Sequence, residues 1–317
     1  MRAVFLDRST ISEDIDLSPI ESHVTTISYF EHTAIEKVIF RAKFAEVIIS
    51  NKVMITAEII RQLPKLKLIC IAATGTNNVN LVAAQKAGIA VCNVSGYANT
   101  SVTQYVFAML LEYLQKTSHY IENSRQGDWQ NSPVFCHFGL PINELAAKKI
   151  AIIGYGGLGK QVSEIAKAFA MEVLIAERQL ASSIRPGRVS FEQAISTADI
   201  ISLHAPLSDE TANLINQQSI KTMKMGVIII NTARGGLVNS LDLLAALKSK
   251  KIGAAILDVL ENEPPPQDHP LLNAKLDNLL ITAHIAWGSL QAQQRLINRL
   301  ADNIKSYQQG LQLNRVV

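Results

Sequence analysis

The stretch 148–177, KKIAIIGYGGLGKQVSEIAKAFAMEVLIAE, constrains the fold of this chain more than any other. A short apolar run from Ile150 to Ile153, of the kind carried by a strand buried on both faces, passes directly into Gly154, Gly156 and Gly159. From Leu158 the apolar residues recur at Val162, Ile165, Ala166 and Phe169, which is helical spacing. A second apolar run, Val173 to Ala176, then closes on Glu177. The unit reads as strand, glycine turn, helix, strand. In such a unit the first glycine makes the tight turn, the second lets a pyrophosphate approach the backbone, and the third lets helix and strand pack closely. Glu177 stands about 20 residues beyond the loop, where a carboxylate accepts from an adenosine ribose 2′-hydroxyl. A bare GxGxxG string is more often an ordinary loop, but here the flanking strand, the helical pattern and the terminal acid agree. The segment therefore reads as a dinucleotide site built from Gly154, Tyr155, Gly156, Gly157, Leu158, Gly159 and Glu177. A carboxylate repels the 2′-phosphate of NADP, which favours NAD; Arg178 beside it is suited to that phosphate, so NADP is not excluded.

A length of 317 residues suggests two domains rather than one. The net charge of +3 is small and its basic residues are scattered, so nothing calls for nucleic acid. Asp7 comes too early for the apolar core of a signal peptide, and no run reaches the ~18 apolar residues of a membrane span. Cys70, Cys92 and Cys136 form no CxxC and are odd in number, which suits a reducing cytoplasm. His23, His32, His119, His137 and His269 show no metal-ligand spacing, and no metal is expected.

Residues 1–97 hold strand-like runs at 3–6, 46–50, 66–73 and 89–94, with a short helix from Leu81 to Lys86 ended at Gly88: a parallel α/β lobe of its own. Residues 98–117 read as one helix, apolar on most sides and hence buried. The segment 118–147 looks irregular, with exposed-looking Trp129, Phe135 and Phe138; it reads either as a cover over the chain's own core or as an arm packing on a second copy. After the glycine loop come a weak strand and helix over 188–198, strands at 200–206, 226–234, 252–259 and 278–284, and a helix at 240–250. The amphipathic spacing of Leu296, Ile297, Leu300 and Ile304 marks a last helix, with Ser289 as its N-cap. Gly154, Glu177, His204, Arg234, Asp258 and His284 each fall at the carboxyl end of an expected strand. In an open parallel sheet those ends line the ligand crevice.

The motifs GYGGLG with VLIAER, LHAPLSDET, INTARGGLVN, ILDVLENEPP and ITAHIAWGS span almost the whole second lobe, and ATGTNNVN and VCNVSGY add to them in the first. In these the chain resembles the D-isomer-specific 2-hydroxyacid dehydrogenases. The segment FCHFGLPINEL favours their glycerate dehydrogenase, or hydroxypyruvate reductase, branch. The resemblance implies two doubly wound parallel-sheet lobes: a flavodoxin-like substrate domain, 1–97 completed by the C-terminal helix in 286–317, and a Rossmann NAD-binding domain, 98–285. It implies that Arg234 grips the carboxylate and carbonyl oxygen of a small 2-keto acid, that His284 is the acid/base, and that Glu263 is its partner. Thr74 and Gly75 would hold the substrate carboxylate, with a plain turn as the alternative; Asp258 would meet the nicotinamide carboxamide, with a loop cap as the alternative. His204, Pro206, Thr232 and Ala233 would line the cofactor, together with Arg178 and His284. Apart from the resemblance, the apolar helix at 98–117 and the aromatic arm suggest a symmetric homodimer, since two-fold pairs are the commonest assembly.

The chemistry wants those residue types. Reduction brings a hydride to the carbonyl carbon and a proton to its oxygen, which a histidine supplies near neutral pH. A glutamate beside it orients the ring and favours the imidazolium, and an arginine fork matches a carboxylate bidentately. Members of the family usually carry proline just before this histidine, where this chain has Ala283. The rival reading is a non-catalytic NADH-sensing interaction protein, since co-repressors share the fold and these residues.

Overall fold

The computed structural model describes all 317 residues. They form two compact units, Met1–Ala98 with Trp287–Val317, and Asn99–Ala286. The first is built on the parallel strands β1 (Arg2–Phe5), β2 (Thr26–Tyr29), β3 (Val47–Ser50), β4 (Leu68–Ile71) and β5 (Ala90–Cys92), in the order β2-β1-β3-β4-β5. That is the flavodoxin-like doubly wound order. Successive side chains leave opposite faces of a strand, and here both faces are covered. Phe5, Ile49, Cys70 and Cys92 pack on Leu296, Leu300 and Ile304 of the C-terminal helix Leu290–Gln308. Val4, Ile48, Ile69 and Val91 pack on the helices Val38–Ala42, Ala57–Arg61 and Leu81–Lys86. Two-sided burial is why these runs are apolar without alternation. Ser289 caps the last helix by accepting from Ala292 N at 3.2 Å. The chain end then returns to the sheet edge, where Val316 N donates to Val91 O at 2.7 Å.

The second unit carries β6 (Lys149–Ile153), β7 (Glu172–Ile175), β8 (Ile200–Leu203), β9 (Val227–Asn231), β10 (Ile252–Leu257) and β11 (Leu279–Ile281), all parallel, in the order β11-β10-β9-β8-β6-β7. The chain builds β7 on one side of β6 and then crosses to build β8 on the other. That crossing opens a crevice beyond the strand ends. One face is filled by Ile153, Ile201, Ile229 and Leu257 against Phe191, Ile220 and Leu243 of the covering helices. On the helix Asn99–Gln115, Val102, Val106, Phe107, Leu110 and Leu114 are buried, and Phe107 stacks on Phe169 with ring centroids 5.4 Å apart.

Four expectations change. The helix over 98–117 stops at Gln115 and is not buried all round, since Gln104 and Ala108 are exposed. The segment after it, expected to be irregular, begins with the helix Thr117–Gln126, which ends at Gly127 with φ 89. That helix buries no side chain and so shows no apolar stripe. Its start is held by Glu112, whose carboxylate accepts from Ser118 N at 3.2 Å and from the Thr117 hydroxyl. The weak strand near 188 shrinks to one parallel bridge, Ala176 with Val189, because Pro186 and Gly187 break the extended run just before it. The fourth is β2, an added strand: TISY is only half-buried and polar at alternate positions, as an edge strand permits. No helix is long and apolar enough to cross a membrane.

Candidate active site

The glycine loop follows β6 directly. Gly154 has φ 96, and a Cβ there would lie 2.5 Å from Ala205 N; a Cβ on Gly159 would lie 2.2 Å from Gly154 O. Neither position tolerates a side chain, for the reasons of turn and close packing that the spacing suggested. Gly156 faces open space, so the backbone donors opening the helix Gly157–Ala168, through Leu158, stay approachable. A helix start with free N–H groups fits a pyrophosphate. Tyr155 adds a ring with Lys160 Nζ at 6.0 Å and Arg188 Cζ at 5.8 Å from its centroid.

One strand outward, past β7, Glu177 is buried and its carboxylate is crowded with donors. Arg178 N donates to Oε1 at 2.9 Å, and Arg185 Nε and N donate to Oε2 at 2.7 and 3.3 Å. Arg185 Nη2 also meets Oε1, and Arg188 Nη1 lies 3.8 Å from it. The Arg185 bond is the largest cause holding the Glu177 carboxyl well below the usual carboxylate range. Arg185 carries no motif signal. A basic residue soon after the acid, beyond a turn-rich stretch, was the only hint of it.

On the inner side, His204 follows β8 and donates its backbone N–H to Ile153 O at 2.7 Å. Its Nε2 lies 2.9 Å from Ser202 Oγ, its buried Nδ1 has no partner, and burial pulls its pKa down to about 4. Two residues on, Pro206 O accepts from Thr211 Oγ1 at 2.7 Å. Past β9, Thr232 Oγ1 is buried without a partner, and Ala233 N donates to Asn231 Oδ1 at 3.1 Å. The unpartnered His204 and Thr232 atoms, lying on the strand ends beside the glycine loop, are polar groups that a bound nucleotide would satisfy.

The next three strand ends carry Arg234, the loop from Asp258 to Glu263, and His284. Backbone bonds step along the sheet edge from Asp258 N to Asn231 O at 2.9 Å and from His284 N to Asp258 O at 2.8 Å. His284 Nδ1 donates to Glu263 Oε2 at 2.6 Å, which fixes the orientation of the ring. Glu263 is itself turned in by Leu260 N, which donates to Oε1 at 3.2 Å. Arg234, after β9, makes one bond to Ala233 O at 2.6 Å and no ion pair, unlike a surface arginine at a strand end. Its neighbour Gly235 packs so closely on the Glu263 loop that a Cβ would lie 1.8 Å from Leu260 C.

Asp258, 1% exposed, does more than the sequence suggested. Its carboxylate accepts from Thr282 Oγ1 at 2.7 Å, Ile285 N at 2.9 Å and Ala286 N at 2.8 Å. These bonds grip the turn in which His284 sits at φ 55, a left-handed conformation that a histidine seldom holds. Tyr105 extends the chain by meeting the Thr282 hydroxyl. In the other unit, the loop after β4 is fixed by Thr74 Oγ1 donating to Val94 O at 3.0 Å and Asn93 Nδ2 donating to Thr74 O at 2.7 Å; Gly75 follows.

The chain as a whole is similar to known proteins. Residues 107–286 match the family model of the D-isomer specific 2-hydroxyacid dehydrogenase NAD binding domain. The glycerate dehydrogenase of Methylorubrum extorquens is 39% identical over 320 residues, covering 99% of this chain and 98% of its own. The hydroxypyruvate reductase of Blautia hydrogenotrophica is 34% identical over 322 residues, covering 100% of this chain and 99% of its own. Among solved structures, the TT0316 protein of Thermus thermophilus superposes with a TM-score of 0.84 at 28% identity, covering 100% of both chains. With the two-lobed α/β fold, the glycine loop and these matches together, the chain belongs to the D-isomer specific 2-hydroxyacid dehydrogenase family and is an NAD(P)-dependent oxidoreductase.

Proposed function

We propose that the chain is a glycerate dehydrogenase, working as a hydroxypyruvate or glyoxylate reductase, with Arg234, Glu263 and His284 as its catalytic set. The nicotinamide ring supplies the hydride when the cofactor is bound. Arg234 holds the substrate carboxylate and polarises the carbonyl oxygen through its planar fork. His284 Nε2 gives that oxygen its proton as the hydride arrives, and takes it back in the oxidation of a D-2-hydroxy acid. Glu263 keeps the ring oriented and its charge compensated through Nδ1. Thr74 and Gly75 offer backbone N–H groups to the substrate carboxylate. His204, Pro206, Thr232, Ala233 and Asp258 line the cofactor. Asp258 carries a second duty, holding the His284 turn.

The observation that carries the reading is a hydrogen-bonded histidine and glutamate, and an arginine without a counter-ion, on the ends of neighbouring strands of one parallel sheet. The glycerate dehydrogenase and hydroxypyruvate reductase activities of the two relatives support small 2-keto acids as substrates. The test is a panel of 2-keto acids from glyoxylate upward, with NADH and NADPH. Hydroxypyruvate and glyoxylate are expected to turn over fastest. A preference for bulky 2-keto acids refutes the branch, and tight cofactor binding without any turnover refutes the enzyme in favour of a sensor.

The reading extends to assembly and compartment. Trp129, Val134, Phe135 and Phe138 are 58%, 60%, 91% and 79% exposed along one segment, an apolar arm suited to a second copy in a homodimer. Cys70 and Cys92 face each other in register on β4 and β5 as free thiols, which suits a reducing cytoplasm.

A further inference from the structure

The loop that presents Glu263 lacks backbone donors over its middle. It runs through Pro264, Pro265 and Pro266, none of which has an N–H to give. On its near side Glu263 is anchored by Leu260 N, which donates to Oε1 at 3.2 Å. Two residues that the chemistry has not used, Glu261 and His269, flank the loop and tie it from both ends.

Three parts of the chain meet at Glu261 Oε2. It accepts from Ser240 Oγ at 2.8 Å, at the start of the helix Ser240–Lys248, and lies 3.4 Å from His269 Nε2. His269 is 2% exposed, and its Nδ1 accepts from Leu271 N at 3.3 Å. A ring nitrogen that accepts carries no proton, so the proton of His269 is on Nε2, the atom facing Glu261. That nitrogen is buried without a hydrogen bond, and the Glu261 carboxylate is the ionic neighbour that offsets its burial. Burial works to raise the Glu261 carboxyl, but its own backbone N–H, the Ser240 hydroxyl and His269 outweigh this and hold the group below its ordinary range. The clasp is therefore anionic at neutral pH.

Further bonds secure the far end: His269 N donates to Pro266 O at 3.1 Å, and Asn273 Nδ2 donates to Gln267 O at 2.9 Å. On the other side, Gly235 packs on the backbone of Leu260 and Glu261. A carboxylate at one end and an imidazole at the other thus close residues 262–268 into a ring, and Ser240 fixes that ring to the helix that follows Arg234.

We propose that Glu261 and His269 are positioning residues for the reaction: by clasping the loop at both ends against Ser240, they set the place at which Glu263 meets His284. The proposal rests on the assignment of Glu263 as the partner of His284. Both residues act through Glu263, so each matters to turnover only while that carboxylate is there to be placed.

Double-mutant comparison tests this, read as steady-state reduction of the 2-keto acid that the parent turns over fastest, with NADH affinity measured by fluorescence alongside. His269→Leu removes the donor at similar volume and should lower kcat roughly tenfold with the NADH dissociation constant unchanged. His269→Gln, which keeps an N–H in reach of Glu261, should recover most of that loss. Glu261→Gln keeps an acceptor for Ser240 but removes the charge, and should lower kcat severalfold. In a Glu263→Gln background neither His269→Leu nor Glu261→Gln should lower kcat further. The same fold-loss with and without the Glu263 carboxylate marks a brace with no positioning role and overturns the proposal, as does an unchanged kcat in both single variants. If His269→Leu does not fold, Glu261→Gln, at a side chain 36% exposed, carries the comparison alone. A Glu263→Gln variant that keeps the parent turnover overturns the assignment of Glu263 itself, an outcome distinct from failure of the clasp.

Discussion

The Arg234 guanidinium is tied only to a backbone carbonyl, which leaves the rest of its fork for the proposed substrate carboxylate. Arg234→Lys replaces that fork with a point charge. It should lower kcat/KM for hydroxypyruvate by roughly 10²-fold, with cofactor affinity unchanged; unchanged steady-state kinetics would remove Arg234 from the mechanism. Glu263→Gln deletes the carboxylate that accepts from His284 Nδ1 at 2.6 Å and orients the ring, so kcat/KM for hydroxypyruvate should fall by roughly 10²-fold with NADH affinity unchanged. Unchanged turnover would separate the pair. His204 gives a stability prediction of definite sign. Its folded pKa sits at about 4 against an ordinary 6.5, so the unfolded chain binds more protons between those values. The stability from burying it neutral is present above pH 6.5 and is lost as pH falls towards 4. Urea unfolding of the apoprotein at stepped pH should show a flatter acid limb in His204→Asn than in the parent, and parallel limbs would count against it.

At the scale of elements, the contact of Gly235 with Leu260 ties the loop of Arg234 to the loop of Glu263. Gly235→Ala forces both backbones apart. Turnover should fall at least tenfold while NADH affinity holds, since a displacement near 1 Å at a reacting group costs up to about 10²-fold; equal losses of both would point to general unfolding. In the other unit Leu300, fully buried on the C-terminal helix, anchors one face of the sheet. Leu300→Ala should cost about 2–5 kcal/mol in urea denaturation. Much of this architecture could be read in advance, because two-sided burial writes β1, β3, β4, β6, β8, β9 and β10 as apolar runs and strand ends place the polar groups. What escaped lacks those signals. β2 is a half-buried edge, the helix Thr117–Gln126 buries nothing, and the Arg185 to Glu177 contact depends on the path of a turn-rich loop. The Asp258 grip on His284 was hidden for another reason: a buried carboxylate that holds a turn and a ligand-facing one look alike as single letters.

At the scale of the molecule, the proposed homodimer makes the exposed arm testable. The parent protein should sediment as a dimer and a variant with Glu at positions 135 and 138 as single chains, with the far-ultraviolet dichroism unchanged; a parent that sediments as single chains refutes the dimer, and a variant that stays dimeric places the interface elsewhere. The strand order carries a different consequence. Residues 287–317 supply the helix and the edge contacts that close the N-terminal sheet, whereas 99–286 hold their own sheet entire. During synthesis the middle of the polypeptide can thus reach its native form first. The opening ninety-eight residues emerge earliest but must wait, one apolar face uncovered, until the last helix leaves the ribosome.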